Sequence, residues 1–238
     1  MVRHEIGCSG PESGRTGGQL PGSIGRSINQ STEMSGEHQP SAGGTAQYRT
    51  GTTIVAATAT DGVVLAADNR MSLGGGFTAS KDVQKVEQVH PTAAMAIAGH
   101  VGPAQQLLRS LRAESRLYDA RRGEPMSLGA LARAAGTLVR GMPVHPLLGG
   151  VDETGGHVYE LDGSGSVIED SYAASGSGMQ PAYGVLDDRI DPGEPVASVK
   201  RAAAGAVRAA SERDNASGNG VTLATVTGEG VEIERRAS

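Results

Sequence analysis

The sequence is poor in cysteine and aromatic residues, and each shortage excludes a class of protein. Its 238 residues include one cysteine, Cys8, so the chain can form neither a disulfide framework nor a thiolate metal site. With one Phe and no Trp, the core must consist of Val, Ile, Leu and Ala. No apolar run could span a bilayer, and no signal-peptide pattern opens the chain. We therefore expect a cytoplasmic protein.

Charge and histidine placement narrow the functional classes further. The chain has 21 Lys and Arg against 26 Asp and Glu, a formal charge of −5, which argues against a protein that binds nucleic acid through phosphate contacts. His100, His145 and His157 lack the spacing of zinc ligands. The glycine-rich stretch at 175–178 lacks a nucleotide-binding pattern. We expect no metal, no cofactor and no nucleic-acid or membrane partner.

Residues 1 to about 47 form a leader without a periodic apolar pattern. The stretch is rich in Gly, Ser, Gln, Glu and Pro, and cannot bury enough surface to offset its ordering entropy. It is either a tail that stays attached or a removable pro-segment. Composition cannot decide between these two interpretations.

The junction Gly51-Thr52-Thr53 is where the leader gives way to the first buried strand. We predict cleavage between Gly51 and Thr52, which would make Thr52 an N-terminal nucleophile whose own α-amine serves as its base. Glycine suits a tightly turned scissile bond because it has no Cβ. Taken alone, the junction is more typical of an ordinary strand start.

Two strand-like runs follow the junction, over residues 53–58 and 63–68. The Asp61-Gly62 pair between them is a strong hairpin signal. Pairing of these strands would bring Asp68 back beside Thr52. On its own, however, Asp68 is more typical of a turn or a surface ion pair than of a catalytic acid.

The remaining pattern predicts helices between two groups of strands. A helix is predicted after Pro103, with its packed face formed by Ala104, Leu107, Leu108, Leu111 and Leu117. A second helix, capped by Ser127, is predicted after it. Strands are predicted at 93–99, 147–151, 157–161, 166–170, 221–226 and 230–234. The longest helix is predicted from about Pro195 to Arg213. This order favours an α+β fold, a four-layer αββα sandwich of two antiparallel sheets flanked by helices.

Several separate motifs together resemble the β subunit of the 20S proteasome, of the archaeal type, in the N-terminal nucleophile hydrolase superfamily. They occur in the family's order from Thr52 onward: Gly51-Thr52-Thr53, residues 64–70, 80–85, Ile97-Ala98-Gly99, residues 149–152, 175–178 and 213–218. The leader matches no motif of the family. The resemblance implies a pro-segment over 1–51, removed autocatalytically, and a catalytic domain over 52–238.

The resemblance also implies a role for each matching position. Thr52 corresponds to the nucleophile, with Asp68 and Lys85 beside it. Gly99 corresponds to the residue whose backbone N–H stabilises the oxyanion. Ser177, Asp214 and Ser217 correspond to the group that orients the Thr52 amine. In isolation Lys85 is typical of a solvated lysine, and Asp214 to Gly218 of a helix stop.

Apolar residues match the first specificity pocket of the family. By this matching the substrate-binding residues are Met71, Ser72, Val83, Ile97 and Val101. Four of the five are apolar, so we expect cleavage after hydrophobic residues. Ile54 and Ala56 stand where many archaeal members have Thr and Gly, which should affect packing more than chemistry. Met179 stands where another serine is common, which puts part of that loop's polar support in doubt.

The function implied is that of a threonine-type endopeptidase that hydrolyses unfolded proteins inside a closed chamber. The implied partners are other β subunits in heptameric rings, stacked as α7β7β7α7 with α rings, and an ATP-dependent unfoldase. Two alternatives stay open. One is a non-cleaving structural ring subunit. The other is the bacterial two-ring threonine protease; the long leader and the motif at 214–218 argue against this second alternative.

Overall fold

The computed structural model describes residues 49–73 and 76–236, and it is built from thirteen strands and four helices over those residues. The first seven strands are β1 (Arg49–Thr50), β2 (Thr53–Ala59), β3 (Gly62–Asp68), β4 (Met71–Leu73), β5 (Phe77–Ser80), β6 (Val86–His90) and β7 (Ala93–His100). Two helices follow, α1 (Val101–Arg122) and α2 (Leu128–Leu138). The rest of the chain forms β8 (Val144–Asp152), β9 (Gly155–Leu161), β10 (Val167–Asp170), β11 (Tyr172–Gly176), α3 (Met179–Arg189), α4 (Val196–Ser211), β12 (Val221–Thr227) and β13 (Gly230–Arg236).

The strands form two large antiparallel sheets and one small hairpin. One sheet has five strands in the order β11-β2-β3-β12-β13. The other has six strands, in the order β1-β7-β8-β9-β10 with β6 also paired to β7. Strands β4 and β5 pair only with each other in the described residues. The chain therefore passes from the six-stranded sheet to the five-stranded sheet between β1 and β2, with only residues 51 and 52 between these strands.

Three hydrophobic clusters separate four layers. Residues such as Ile54 and Leu65 of the five-stranded sheet meet Leu147 and Val158 of the six-stranded sheet. A second cluster packs α1 and α2 onto the six-stranded sheet, and a third packs α3 and α4 onto the five-stranded one. The predicted αββα sandwich is confirmed.

Small residues let the two sheets approach closely. A Cβ on Gly149 would lie 2.8 Å from Leu65 Cδ1, so a larger residue in β8 would push the sheets apart. Among the described residues Tyr159 is the one aromatic residue in the buried core, and the remainder is aliphatic or Met. The expected aliphatic core is thus confirmed for this part of the chain.

The first hairpin forms as its turn signal predicts. Ala59 pairs with Gly62, Ile54 pairs with Ala67, and Asp68 therefore ends beside the start of β2. The second helix also begins as predicted, since the Ser127 hydroxyl accepts a hydrogen bond from the Ala130 N–H. Local turn and capping chemistry decides both features.

The helix lengths and several short strands differ from the prediction. The longest helix is α1, with 22 residues, while α4 has 16. No Gly or Pro interrupts α1 after its first turn, and Gly123 ends it in the left-handed conformation at φ 71°. Leu117, which we expected on its packed face, is 43% exposed, because it lies about 240° around the helix from Leu111.

Short strands account for the other differences. The pattern gave no strand at β1, β4, β5, β6 or β11, each five residues or fewer. Ser175 and Gly176, expected in a loop, complete β11. Residues 1–48, which hold most of the predicted pro-segment, lie outside the described residues. Among the helices that are described, none is long and apolar enough to cross a membrane.

Candidate active site

Asp68 lies at the centre of the candidate site, at the end of β3. Its side chain is completely buried, and each carboxylate oxygen accepts two hydrogen bonds. Oδ1 accepts from the Thr53 N–H at 2.9 Å and from Lys85 Nζ at 2.7 Å. Oδ2 accepts from the backbone N–H groups of Arg70 at 3.0 Å and Gly218 at 2.8 Å. Four donors compensate the burial of this charge.

Lys85 joins Asp68 to the peptide bond before Thr52. Its Nζ donates to the Gly51 carbonyl oxygen at 3.1 Å as well as to Asp68. Burial lowers the pKa of the Lys85 ammonium below its ordinary value, while the charge of Asp68 acts in the opposite direction. A cation is thus held against the carbonyl of the bond that the sequence predicts to be cut.

The nitrogen of the same peptide bond faces a chain of polar groups. The Thr52 N–H donates to Ser177 Oγ at 3.1 Å. The Ser177 hydroxyl donates to Asp214 Oδ2 at 2.5 Å, and the Ser217 hydroxyl donates to the same oxygen at 2.6 Å. The predicted group of Ser177, Asp214 and Ser217 therefore comes together at Thr52, although Ser177 and Asp214 are 37 residues apart.

Gly51 fits a space with no room for a side chain. A Cβ at this position would lie 1.8 Å from the Ala216 Cβ and 2.7 Å from Ser72 Oγ. The Gly51 N–H donates to that Ser72 hydroxyl at 3.0 Å. Glycine is therefore required by close packing at this position.

The segment before Thr52 lies against β7 as a strand. In β1, Thr50 pairs with Gly99 and Arg49 with His100 in antiparallel register. Gly99 has φ 119°, and a Cβ there would lie 2.5 Å from the Pro143 carbonyl oxygen. The predicted oxyanion residue is thus a glycine for steric reasons and sits beside the chain that precedes the junction.

The residues predicted to bind substrate lie on several elements, and Ser72 is the one whose contact with the junction is described. Met71 and Ser72 are in β4, and Ser72 holds the backbone of Gly51. Val83 is half-buried, and its N–H donates to the Asn69 carbonyl. Ile97 belongs to the core beneath α1 and α2, with 5% of its surface exposed, and Val101 is the first residue of α1.

Three residues of the site escaped the sequence analysis. The Thr53 hydroxyl is 2.9 Å from Ser217 Oγ. Arg70 donates to the Asn215 carbonyl at 2.7 Å and to Asn219 Oδ1 at 2.9 Å. Asn69 Oδ1 accepts from the Thr222 hydroxyl at 2.6 Å. The position of Asn69 and Arg70 directly after Asp68 was the available signal.

Comparison with known proteins identifies the family. Residues 48–226 match the family model described as proteasome subunit. A proteasome subunit beta of Halomicrobium mukohataei is 54% identical over 193 residues, which cover 80% of this chain and 81% of the relative. A proteasome subunit beta of Halorhabdus utahensis is 53% identical over 189 residues, 78% of this chain and 81% of the relative. Proteasome subunit beta 2 of Haloterrigena turkmenica is also 53% identical over 189 residues, 78% of this chain and 80% of the relative. The chain therefore belongs to the proteasome subunit family, as a β subunit of the 20S particle and a peptidase.

Proposed function

We propose that this subunit is a threonine-type endopeptidase that becomes active when the bond between Gly51 and Thr52 is cleaved. The main support is the pair of contacts at this bond. Lys85 donates to the carbonyl oxygen of Gly51, and Ser177 accepts from the nitrogen of Thr52. The Gly51 carbonyl oxygen and the Thr52 nitrogen, whose charges change during cleavage, thus each have a polar partner in place.

Cleavage would proceed by attack of the Thr52 hydroxyl oxygen on the carbonyl carbon of Gly51. Negative charge then develops on the Gly51 oxygen, where the Lys85 ammonium stabilises it. The C–N bond breaks as the Thr52 nitrogen gains a proton, which leaves an ester between Gly51 and the Thr52 oxygen. Water hydrolyses this ester, releases the pro-segment over 1–51 and frees both the hydroxyl and the α-amine of Thr52.

The processed subunit, residues 52–238, would hydrolyse peptide bonds with the same groups. The Thr52 amine accepts the hydroxyl proton, and its usual pKa of about 7.7–8.0 suits a base near neutral pH. The Lys85 charge favours the neutral form of that amine, while Ser177, Asp214 and Ser217 orient it. The Gly99 N–H would stabilise the tetrahedral oxyanion of the substrate, for about 3 kcal/mol.

The substrates would be unfolded polypeptides cut after hydrophobic residues. Apolar Met71, Val83, Ile97 and Val101 around the junction support this preference. Like other proteasome subunits, the chain assembles with further subunits of the particle. The finer arrangement is part of the proposal: heptameric β rings stacked as α7β7β7α7 in the cytoplasm and supplied with substrate by an ATP-dependent unfoldase.

Intact mass and N-terminal sequencing of the subunit from assembled particles test this function. We expect a terminus at Thr52 in the wild type, and an intact leader without peptidase activity in Thr52→Ala. Thr58→Ala is the matched control, since Thr58 lies in β2, the strand that begins directly after Thr52, and its hydroxyl donates to the Ser171 carbonyl. Processing and activity that survive in Thr52→Ala would contradict the proposal. An unprocessed but assembled wild type would indicate a structural subunit.

A further inference from the structure

Thr53 contacts both polar groups of the Thr52 site. Its backbone N–H donates to Asp68 Oδ1 at 2.9 Å, the same oxygen that accepts from Lys85 Nζ. Its hydroxyl lies 2.9 Å from Ser217 Oγ, in the group that faces the Thr52 nitrogen. Thr53 is completely buried, so solvent reaches neither contact. The hydroxyl itself takes part in no step of the cleavage chemistry.

The available protons fix the direction of each hydrogen bond in this group. The Ser217 hydroxyl donates its single proton to Asp214 Oδ2 at 2.6 Å, so in its contact with Thr53 the Ser217 oxygen accepts and the Thr53 hydroxyl donates. The Ser177 hydroxyl donates to Asp214 Oδ2 at 2.5 Å, a much shorter contact than its 3.4 Å to the Thr52 carbonyl oxygen. Its oxygen accepts from the Thr52 N–H at 3.1 Å. A connected series of hydrogen bonds thus runs from the Thr53 hydroxyl through Asp214 to the Thr52 nitrogen.

Packing holds the Thr53 hydroxyl against Ser217. Thr53 begins β2 and pairs with Gly176, the last residue of β11. A Cβ on Gly178 would lie 2.0 Å from Thr53 Oγ1, so the backbone that follows β11 closes against the hydroxyl. Ser217 is also completely buried. Because a β-branched side chain has few allowed χ1 rotamers, the Thr53 hydroxyl has little freedom to leave this partner.

We propose that Thr53 is a positioning residue for the peptidase reaction, because its hydroxyl holds Ser217, and through it Asp214, in the geometry that orients the Thr52 amine. This role rests on the function of Thr52 as an N-terminal nucleophile, proposed above. Without the Thr53 hydroxyl, the buried Ser217 oxygen loses its donor, and the Ser217 hydroxyl can turn away from Asp214. Hydrogen bonds in such a series polarise one another, so loss of the first bond weakens the contact at the Thr52 amine.

Two substitutions at Thr53 separate this role from a merely structural one. Thr53→Val keeps the branched shape and removes the hydroxyl, whereas Thr53→Ser keeps the hydroxyl and removes a buried methyl group. Both should lower the melting temperature of assembled particles, because the first loses a buried hydrogen bond and the second loses buried apolar volume.

Peptidase activity should distinguish the two variants. Turnover of a fluorogenic peptide is counted per chain that intact mass shows to begin at Thr52. In Thr53→Val, kcat should fall about tenfold with KM unchanged, and in Thr53→Ser it should stay close to the wild-type value. The rate of leader removal, followed by the same mass measurement, should show the same order. This rate provides the comparison even if Thr53→Val is processed too slowly for turnover.

Thr58→Val is the matched control, since it removes the hydroxyl of another threonine of β2, which donates to the Ser171 carbonyl at 3.1 Å, and it should leave kcat and KM unchanged. Activity in Thr52→Ala, measured alongside, would overturn both the nucleophile function and the role of Thr53. With Thr52→Ala inactive, full activity of Thr53→Val would overturn the role of Thr53 alone. Equal losses of kcat in Thr53→Ser and Thr53→Val, or a change confined to KM, would also overturn that role, because activity would then follow packing or substrate contact.

Discussion

Two clusters in which a basic side chain meets one or more carboxylates differ sharply in burial. In the first, Lys85 and Asp68 are 2.7 Å apart, with 2% and 0% of their side chains exposed. In the second, His157 lies 2.5 Å from Glu169 and 3.2 Å from Asp152, and these three side chains are 21%, 53% and 36% exposed. The first belongs to the candidate active site, and the second lies on strands β8 to β10 of the six-stranded sheet.

The two clusters change the pKa of their cations in opposite directions. For Lys85 burial dominates, and its pKa is lowered despite Asp68. For His157 burial also lowers the pKa, but the hydrogen bond that its ring donates to Glu169 and the charges of both carboxylates outweigh the effect of burial, so the pKa is raised. Burial therefore has the larger effect on the pKa of the lysine in the first cluster, whereas the neighbouring carboxylates have the larger effect on the pKa of the histidine in the exposed second cluster.

The largest effect is expected from Lys85→Met in the buried cluster. Peptidase activity and leader removal should each fall about a thousandfold, because the cation at the Gly51 carbonyl and the Thr52 amine is lost. The free energy of unfolding should fall by about 3–5 kcal/mol, since the Asp68 charge remains buried without its partner. Fluorogenic peptide turnover and urea denaturation measure the two quantities. Lys81→Met, an exposed lysine of the same segment, is the control.

A double variant separates chemistry from stability in that cluster. Lys85→Met combined with Asp68→Asn leaves no unpaired charge, so part of the lost stability should return while activity stays low. The return is incomplete because the new amide NH2 faces a backbone N–H that the carboxylate accepts from in the wild type. Recovery of activity together with stability would contradict a catalytic role. The buried pair would then be structural, and the contrast between the clusters would be one of burial alone.

The second effect concerns the lack of space for a side chain at the buried junction. Gly51→Ala places a Cβ 1.8 Å from Ala216, so the scissile bond must move, and leader removal should slow about a hundredfold. Gly102→Ala, where an added Cβ meets nothing within 4 Å, should process normally. The shift of the subunit band on a denaturing gel measures leader removal over time. A chain expressed from Thr52 onward should have wild-type activity, and unchanged processing of Gly51→Ala would contradict the steric explanation.

The sequence predicts the buried cluster of Asp68 and Lys85 better than it predicts the contacts of the loop at 214–219. The Asp61-Gly62 turn fixes the β2–β3 register, and this register alone brings Asp68 to Thr52. Lys85 needed the resemblance, because no local pattern distinguishes it from Lys81. Arg70 could not be paired with Asn215 and Asn219, since its partners lie about 145 residues away and no periodic pattern reports such a contact.

The errors in the predicted fold are explained by the short length of some strands and by the burial pattern of one helix. Strands of two to five residues, such as β4 and β6, are too short to show an alternating pattern. In α1 the apolar spacing predicts a helix but not which of its leucines are covered, because the sheet buries Leu107 and Leu111 and leaves Leu117 exposed. The layer order was predictable because each long element carries its own pattern.

A third effect, of intermediate size, is expected at the edge of the buried cluster. Arg70 holds the loop that carries Asp214 and Ser217, through its bonds to Asn215 and Asn219. Arg70→Met keeps the apolar stem but removes both bonds, so kcat should fall about tenfold with KM unchanged, because the amine-orienting groups lose their support. Arg208→Met, an exposed arginine on α4, is the control. A change in KM alone would indicate a substrate-binding role instead.

The smallest effect is expected in the exposed cluster, from His157→Gln. Because the folded-state pKa of His157 is raised above its ordinary 6.5, its stabilising contribution is fully present below about pH 6.5 and is lost as the pH rises through the folded-state value. Solvent screening limits this contribution to about 0–1 kcal/mol. The difference in unfolding free energy between the wild type and His157→Gln should therefore be larger at pH 5 than at pH 8, by denaturant titration at both values.

Peptidase activity provides the second measurement on the exposed cluster. Turnover should be the same in His157→Gln and in His145→Gln, an exposed histidine of β8 that serves as the control. A loss of activity in His157→Gln alone would mean that this surface cluster acts on the site, and the division between a reactive buried cluster and an inert exposed one would fail. An unfolding difference that grows with pH would contradict the direction of the His157 pKa shift, because a raised pKa stabilises the fold only while the imidazole is protonated.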